Sequence, residues 1–123
     1  EEMLIQDDNI SRQSDFVVQV MGDAMAPLYC KGDLLGVRQG EAKHNQIGAF
    51  LLNGEGFVRR YFHSKGVTKL ISINRKVPII QVKDGDDLCC MGVVVGIVRR
   101  ASGKEMPMSV KKIRTLDHEP MER

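Results

Sequence analysis

The chain is a succession of short, β-branched segments separated by turn residues at close and regular spacing. Phe16-Val17-Val18-Gln19-Val20 runs into Gly22. Asp33–Arg38 follows the turn Lys31-Gly32-Asp33. Gly48–Leu52 stops at Asn53-Gly54, a strong hairpin signal because both residues tolerate positive φ. Phe57–Phe62 returns, Ser64-Lys65-Gly66 turns, and Thr68–Ile73 follows. Pro78 opens Ile79–Val82, and Asp84-Gly85-Asp86-Asp87 leads into Leu88–Arg99. Seven short strands with little helical periodicity predict a mostly β fold, a small coiled barrel or sandwich. Gly92 and Gly96 inside the last strand predict a bulge or bend, as when a strand curls around a small barrel.

Two regions stand outside this pattern. Ala24, Met25 and Leu28 are spaced to share one face of a short helical turn, with Pro27 near its start. After Arg100 the character changes. Ala101-Ser102-Gly103-Lys104 reads as a linker, and Lys111–Leu116 as a short helix bracketed by Pro107 and Pro120. The expected division is residues 1–14 as an N-terminal segment, 15–100 as one β domain, and 101–123 as a basic extension, of low order or docked.

Composition narrows the function classes. The 123 residues fit one domain and, at 42% hydrophobic, bury a core without metal or disulfides. No apolar run approaches the roughly 20 residues of a membrane span, and the N-terminus lacks a signal-peptide pattern, so a cytoplasmic location with no membrane partner is expected. Position 1 is not Met, so a fragment or processed product is expected. Residues 99–123 carry 7 Lys and Arg against 4 Asp and Glu, and residues 1–98 carry 11 against 12. That mild bias is far below a nucleic-acid footprint and reads as a solvated tail. Cys30, Cys89 and Cys90 form neither a disulfide framework nor a CxxC, and His44, His63 and His118 are scattered. No metal site or cofactor is expected, and the cysteines read as small buried hydrophobes.

One segment carries chemistry by its absence. Gly22-Asp23-Ala24-Met25-Ala26-Pro27 has the form Gly-Asp-Ser-Met-x-Pro with alanine at the serine position. Three further blocks follow in order: Lys31-Gly32-Asp33-Leu34-Leu35-Gly36-Val37, then Ile47–Leu52 with Glu55-Gly56-Phe57-Val58-Arg59-Arg60-Tyr61, and Gly92-Val93-Val94-Val95-Gly96-Ile97-Val98-Arg99. From Asp15 to Arg99 the chain resembles the C-terminal domain of LexA-type repressors, the family that includes UmuD and the phage CI repressors.

The resemblance implies a serine–lysine dyad that cuts its own chain upstream of the serine. A serine hydroxyl needs a base beside it, and a lysine serves only when burial keeps it neutral. The family's serine falls on Ala24, which has no hydroxyl, and its lysine on Arg59, which stays protonated. Gly22, Asp23, Met25 and Pro27 support the motif. Residues 1–14 contain no glycine and no Ala-Gly or Cys-Gly pair to cut. Ala24 is either a native loss or an engineered Ser→Ala change. Arg59 favours native loss, since one substitution suffices to disable an enzyme. Lys31, Lys65 and Lys69 lie outside the family's lysine motif. Signal peptidases share the serine motif but carry a membrane anchor that this chain lacks.

Two functions are therefore carried forward. The first is the regulatory and dimerisation domain of a phage-type or LexA-like repressor in the SOS-response class, a pseudoenzyme as given. It would bind DNA through an N-terminal domain absent here. The family's final strand contributes to dimerisation, which points to Val93, Val95, Ile97 and Arg99. The second is a self-cleaving peptidase domain in an inactive Ser→Ala form. A homodimer is expected, with a recombinase filament or an antirepressor protein as candidate partners and the tail 101–123 as a candidate docking element.

Overall fold

A computed structural model describes residues 1–102 and 108–117. Nine strands and one short helix follow in order: β1 (Glu2–Gln6), α1 (Asn9–Arg12), β2 (Phe16–Val20), β3 (Leu34–Arg38), β4 (Ile47–Leu52), β5 (Glu55–Ser64), β6 (Val67–Ile71), β7 (Ile80–Val82), β8 (Leu88–Ile97) and β9 (Met108–Leu116). They make one sheet in the order β1-β9-β2-β3-β8-β4-β5-β6-β7. All pairings are antiparallel except β2 with β9. The mostly β expectation holds, and the seven expected strands correspond to β2–β8.

The two hairpins follow from turn chemistry. Asn53 and Gly54 sit at φ 51° and 84°, and Lys65 and Gly66 at φ 53° and 78°. Consecutive positive φ values give a turn whose twist matches that of the flanking strands. The long strand β8 changes partners along its length. Its first half pairs with β4 (Leu52↔Leu88 to Gly48↔Val93) and its second with β3 (Arg38↔Val93 to Leu35↔Ile97), with an irregularity in each register. Gly92 lies inside that crossover, where a side chain would strike the Arg38 carbonyl. Beyond β8 the chain reaches β1. Gln6 N–H donates to Arg99 O at 2.8 Å, and Ala101 N–H to Leu4 O at 2.9 Å. The β1-β9-β2-β3-β8 half of the sheet thereby curls back on itself.

Two expectations at the chain ends are refined or corrected. Residues 1–14, expected as an N-terminal segment, carry regular structure. Glu2–Gln6 forms a strand, and Asp8 caps α1 with a reciprocal capping box to Ser11. Lys111–Leu116 is not a helix: Met108–Leu116 is a strand between β1 and β2, so of the two readings of the tail this part is the docked one. Ile113 and Leu116 stand three apart, so on a strand they point to opposite faces. Each finds a core there. Ile113 joins Ile5, Val17, Leu34 and Val98, while Leu116 joins Val18, Val20, Met25, Leu35, Val37, Ala49 and Val58. Strand β2 also splits its side chains between these two cores. A third core, with Phe50 and Leu70 at its centre, lies under β4–β8. The expected tail residues Gly103, Lys104, Pro107 and Pro120 lie outside the described residues.

The cysteines are also corrected. Cys30 and Cys89 are exposed and Cys90 is half-buried, all as free thiols. Cys90 Sγ lies 3.4 Å from both the Ala42 nitrogen and the Gly40 oxygen, and burial pushes its thiol pKa up. No helix among the described residues is long and apolar enough to cross a membrane.

Ile5 is fully buried in the first core. If β1 is integral to the fold, Ile5→Ala costs about 2–5 kcal/mol. Urea unfolding checks this, and a cost below about 0.5 kcal/mol would mark β1 as dispensable.

Candidate functional site

Gly22-Asp23-Ala24-Met25-Ala26-Pro27 forms the loop between β2 and β3. One helical hydrogen bond, Tyr29 N–H to Met25 O at 2.9 Å, marks the expected turn, but no helix forms. Ala24 and Met25 are buried, whereas Leu28 is 48% exposed, so the three do not share a face. The loop is pinned from outside. Asn74 donates its backbone N–H to Ala24 O at 2.9 Å and its side-chain amide to Asp23 O at 3.1 Å.

Arg59 lies on β5, opposite Gly48 of β4, and is only 5% exposed. A buried guanidinium requires a buried partner. Asp117, the residue after β9, supplies it. Its Oδ1 accepts from Arg59 Nη1 at 2.5 Å, and the same nitrogen donates to Val58 O at 2.8 Å. Asp117 is itself held on several sides. Its Oδ2 accepts the Val58 N–H at 2.7 Å, and its own N–H donates to Gly56 O at 3.1 Å. The guanidinium carbon sits 5.0 Å from the Phe57 ring centroid, close enough for cation–π attraction. Arg59 Nε is buried with no hydrogen-bond partner among the described residues.

Asp117 also reaches the loop. A side chain at Gly22 would collide with the Asp117 carbonyl oxygen, so glycine is what lets the two backbones approach. Met25 and Val58 share one core cluster. The structure therefore brings the Gly22–Pro27 loop, β5 and the end of β9 together, with Asp117 touching both of the others. Asp117 has φ 61°, a conformation that Asp adopts more readily than most residues with a side chain.

Asp117 and Asn74 are site residues that no sequence motif marks. The only local hint of Asp117 is an acidic residue closing the alternating run before it. Of the three lysines outside the motif, Lys31 stands in the turn before β3 and Lys65 in the turn between β5 and β6. Lys69 lies on β6, with its Nζ 5.5 Å from the Phe62 ring centroid. Among the described residues no three His, Cys, Asp or Glu side chains gather as metal ligands.

The four residues expected at a dimer contact are not equivalent. Strand β8 has a partner on each side, so it offers no free edge. Val93 packs toward the third core and Val95 is half-buried. Ile97 is exposed, as is Arg99 beyond the strand.

The profile of the Peptidase S24-like family matches residues 1–95, and so takes in β1 and α1. The chain belongs to that family. A LexA repressor of Leptothrix cholodnii is 38% identical over 92 residues, covering 72% of this chain and 40% of the relative. LexA repressor 2 of Pseudomonas putida is 30% identical over 102 residues, covering 81% and 50%. A LexA repressor of Streptomyces clavuligerus is 37% identical over 87 residues, covering 69% and 35%. The chain thus spans half or less of these relatives' length.

Removing one member of the buried pair leaves the other charge unanswered. Asp117→Ala costs about 3–5 kcal/mol, and Arg59→Met with Asp117→Leu together costs much less than the two single changes summed. A double-mutant cycle by urea unfolding measures this. Additive costs would show that the pair does not act as a unit.

Proposed function

We propose that this chain is the regulatory and dimerisation domain of a LexA-like transcriptional repressor that works without cutting itself. Membership of the Peptidase S24-like family and similarity to LexA repressors support the repressor assignment. One observation carries the non-cleaving part. Position 59, where the dyad base is expected, holds a buried arginine clamped by a carboxylate. Position 24, where the nucleophile is expected, holds an alanine with no group to attack. A guanidinium cannot accept a hydroxyl proton, so a serine at position 24 would still lack a base.

An assembly role needs neither group. A domain that pairs two DNA-reading heads raises operator affinity by making the second contact effectively intramolecular. DNA contact then belongs to a domain outside this sequence. Ile97 and Arg99 are the exposed members of the proposed dimer contact, while Val93 packs toward the third core and Val95 is half-buried. Release from DNA without self-cleavage requires an outside agent, and an antirepressor protein fits that need better than a recombinase filament that stimulates cutting.

Sedimentation equilibrium of the domain reads the assembly role. A dimer at about 100 μM is expected, which corresponds to association of at least about 5–6 kcal/mol. A strict monomer at that concentration overturns it. For the chemistry, Ala24→Ser in the full-length protein is expected to stay intact at alkaline pH, with or without activated filament. Fragments from Ala24→Ser alone would show that Arg59 is compatible with catalysis.

A further inference from the structure

We propose that Asp117 is a charge-setting residue for position 59: it holds whatever basic group stands there in the protonated state, so that substituting serine and lysine alone does not rebuild a working dyad. The inference rests on the reading of positions 24 and 59 as the dyad positions, and it adds a third position that no motif contains.

The geometry carries it. The Asp117 carboxylate is itself buried, with one oxygen on the Arg59 guanidinium and the other on the Val58 N–H. Its backbone is fixed by the bond to Gly56 O and by the close approach of its carbonyl to Gly22. These bonds hold the carboxylate against position 59 and away from water. An opposite charge within about 4–6 Å favours the charged form of a base. A lysine at position 59 has the same strand, the same burial and the same carboxylate beside it. Burial alone would push such a lysine toward neutrality, as a base requires, and the fixed carboxylate opposes that push. Asp117 would act through residue 59 and touch no substrate, which makes it a positioning residue.

The sign of the effect gives a test independent of position 24. In Arg59→Lys the lysine is paired, so its folded pKa is raised. Its contribution is then fully present below the unfolded value of about 10.4, and stability is flat from about pH 7 to 10. In Arg59→Lys with Asp117→Asn the lysine is buried and unpaired, so its folded pKa is depressed. Stability is then low at about pH 7 and rises toward about pH 10. Asparagine keeps an acceptor for the Val58 N–H, which limits the damage to the charge. Urea unfolding across this range is expected to show the rise only in the double variant. Parallel pH profiles would overturn the inference. So would a double variant that is unfolded at the alkaline end as well as at neutral pH, since neutralising the lysine should restore it.

A second readout uses a serine-directed organophosphorus fluoridate. In a chain carrying Ala24→Ser, the introduced hydroxyl oxygen would form a bond to phosphorus as the P–F bond breaks. Fluoride leaves, and the hydroxyl proton passes to the lysine amine. Ala24→Ser with Arg59→Lys is expected to label slowly at about pH 8. Adding Asp117→Asn is expected to speed labelling at least about tenfold and to lower the pH of half-maximal labelling by at least about one unit. Equal labelling rates in the two folded variants, both fast, would overturn the inference. If the stability profiles separate as expected but neither variant labels, Asp117 sets the charge at position 59 and the dyad reading of positions 24 and 59 fails instead.

Discussion

A guanidinium taken out of water must be answered, and in this chain the answer comes from 58 residues away. Arg59 lies in the middle of the sheet and Asp117 follows the last described strand. Burying either alone would cost several kcal/mol, so the pair constrains where β9 can end. With Asp117 at that point, Ile113 and Leu116 fall into two different cores, and β9 fits between β1 and β2. That placement gives β1 a partner and allows the sheet to curl. Such a pair adds little net stability over a well-packed apolar replacement. What it supplies is register, since a shift of β9 would carry Asp117 away and leave the buried guanidinium unpaired.

Legibility in the sequence tracks how local each signal is. Strands β2–β8 are readable because each combines β-branched residues with a turn residue at its end, and the Asn53-Gly54 and Lys65-Gly66 turns need only two residues to be recognised. Strand β1 is hidden because, of Glu2-Met3-Leu4-Ile5-Gln6, only Ile5 is fully buried. Strand β9 imitates a helix because Val110, Ile113 and Leu116 repeat every three residues. Only Ile113 and Leu116 are buried, one in a core on each face, while Val110 is exposed, a tertiary circumstance that no local window contains. Positions 24 and 59 are readable from motif spacing. Asp117 is not, because a single acidic residue near the end of a charged tail gains meaning only from what it touches.

The Gly22–Pro27 loop has structural work that is independent of any chemistry. Gly22 gives the Asp117 carbonyl room, Met25 fills the main core, and the carbonyls of Asp23 and Ala24 accept from Asn74. These contacts use backbone atoms and an apolar side chain, and none needs a hydroxyl at position 24. A serine there, at a site only 6% exposed, would bring a polar group needing its own partner. Alanine removes that need, so the loop's contacts hold without a hydroxyl.

The buried groups at 59 and 117 form one physical unit. A buried arginine without Asp117 leaves a cation unanswered, and Asp117 beside an apolar residue leaves an anion unanswered. Asp117 beside a lysine would hold that amine in its charged form. Arginine keeps a permanent charge on that pair, and the nitrogen that binds Asp117 also donates to Val58 O.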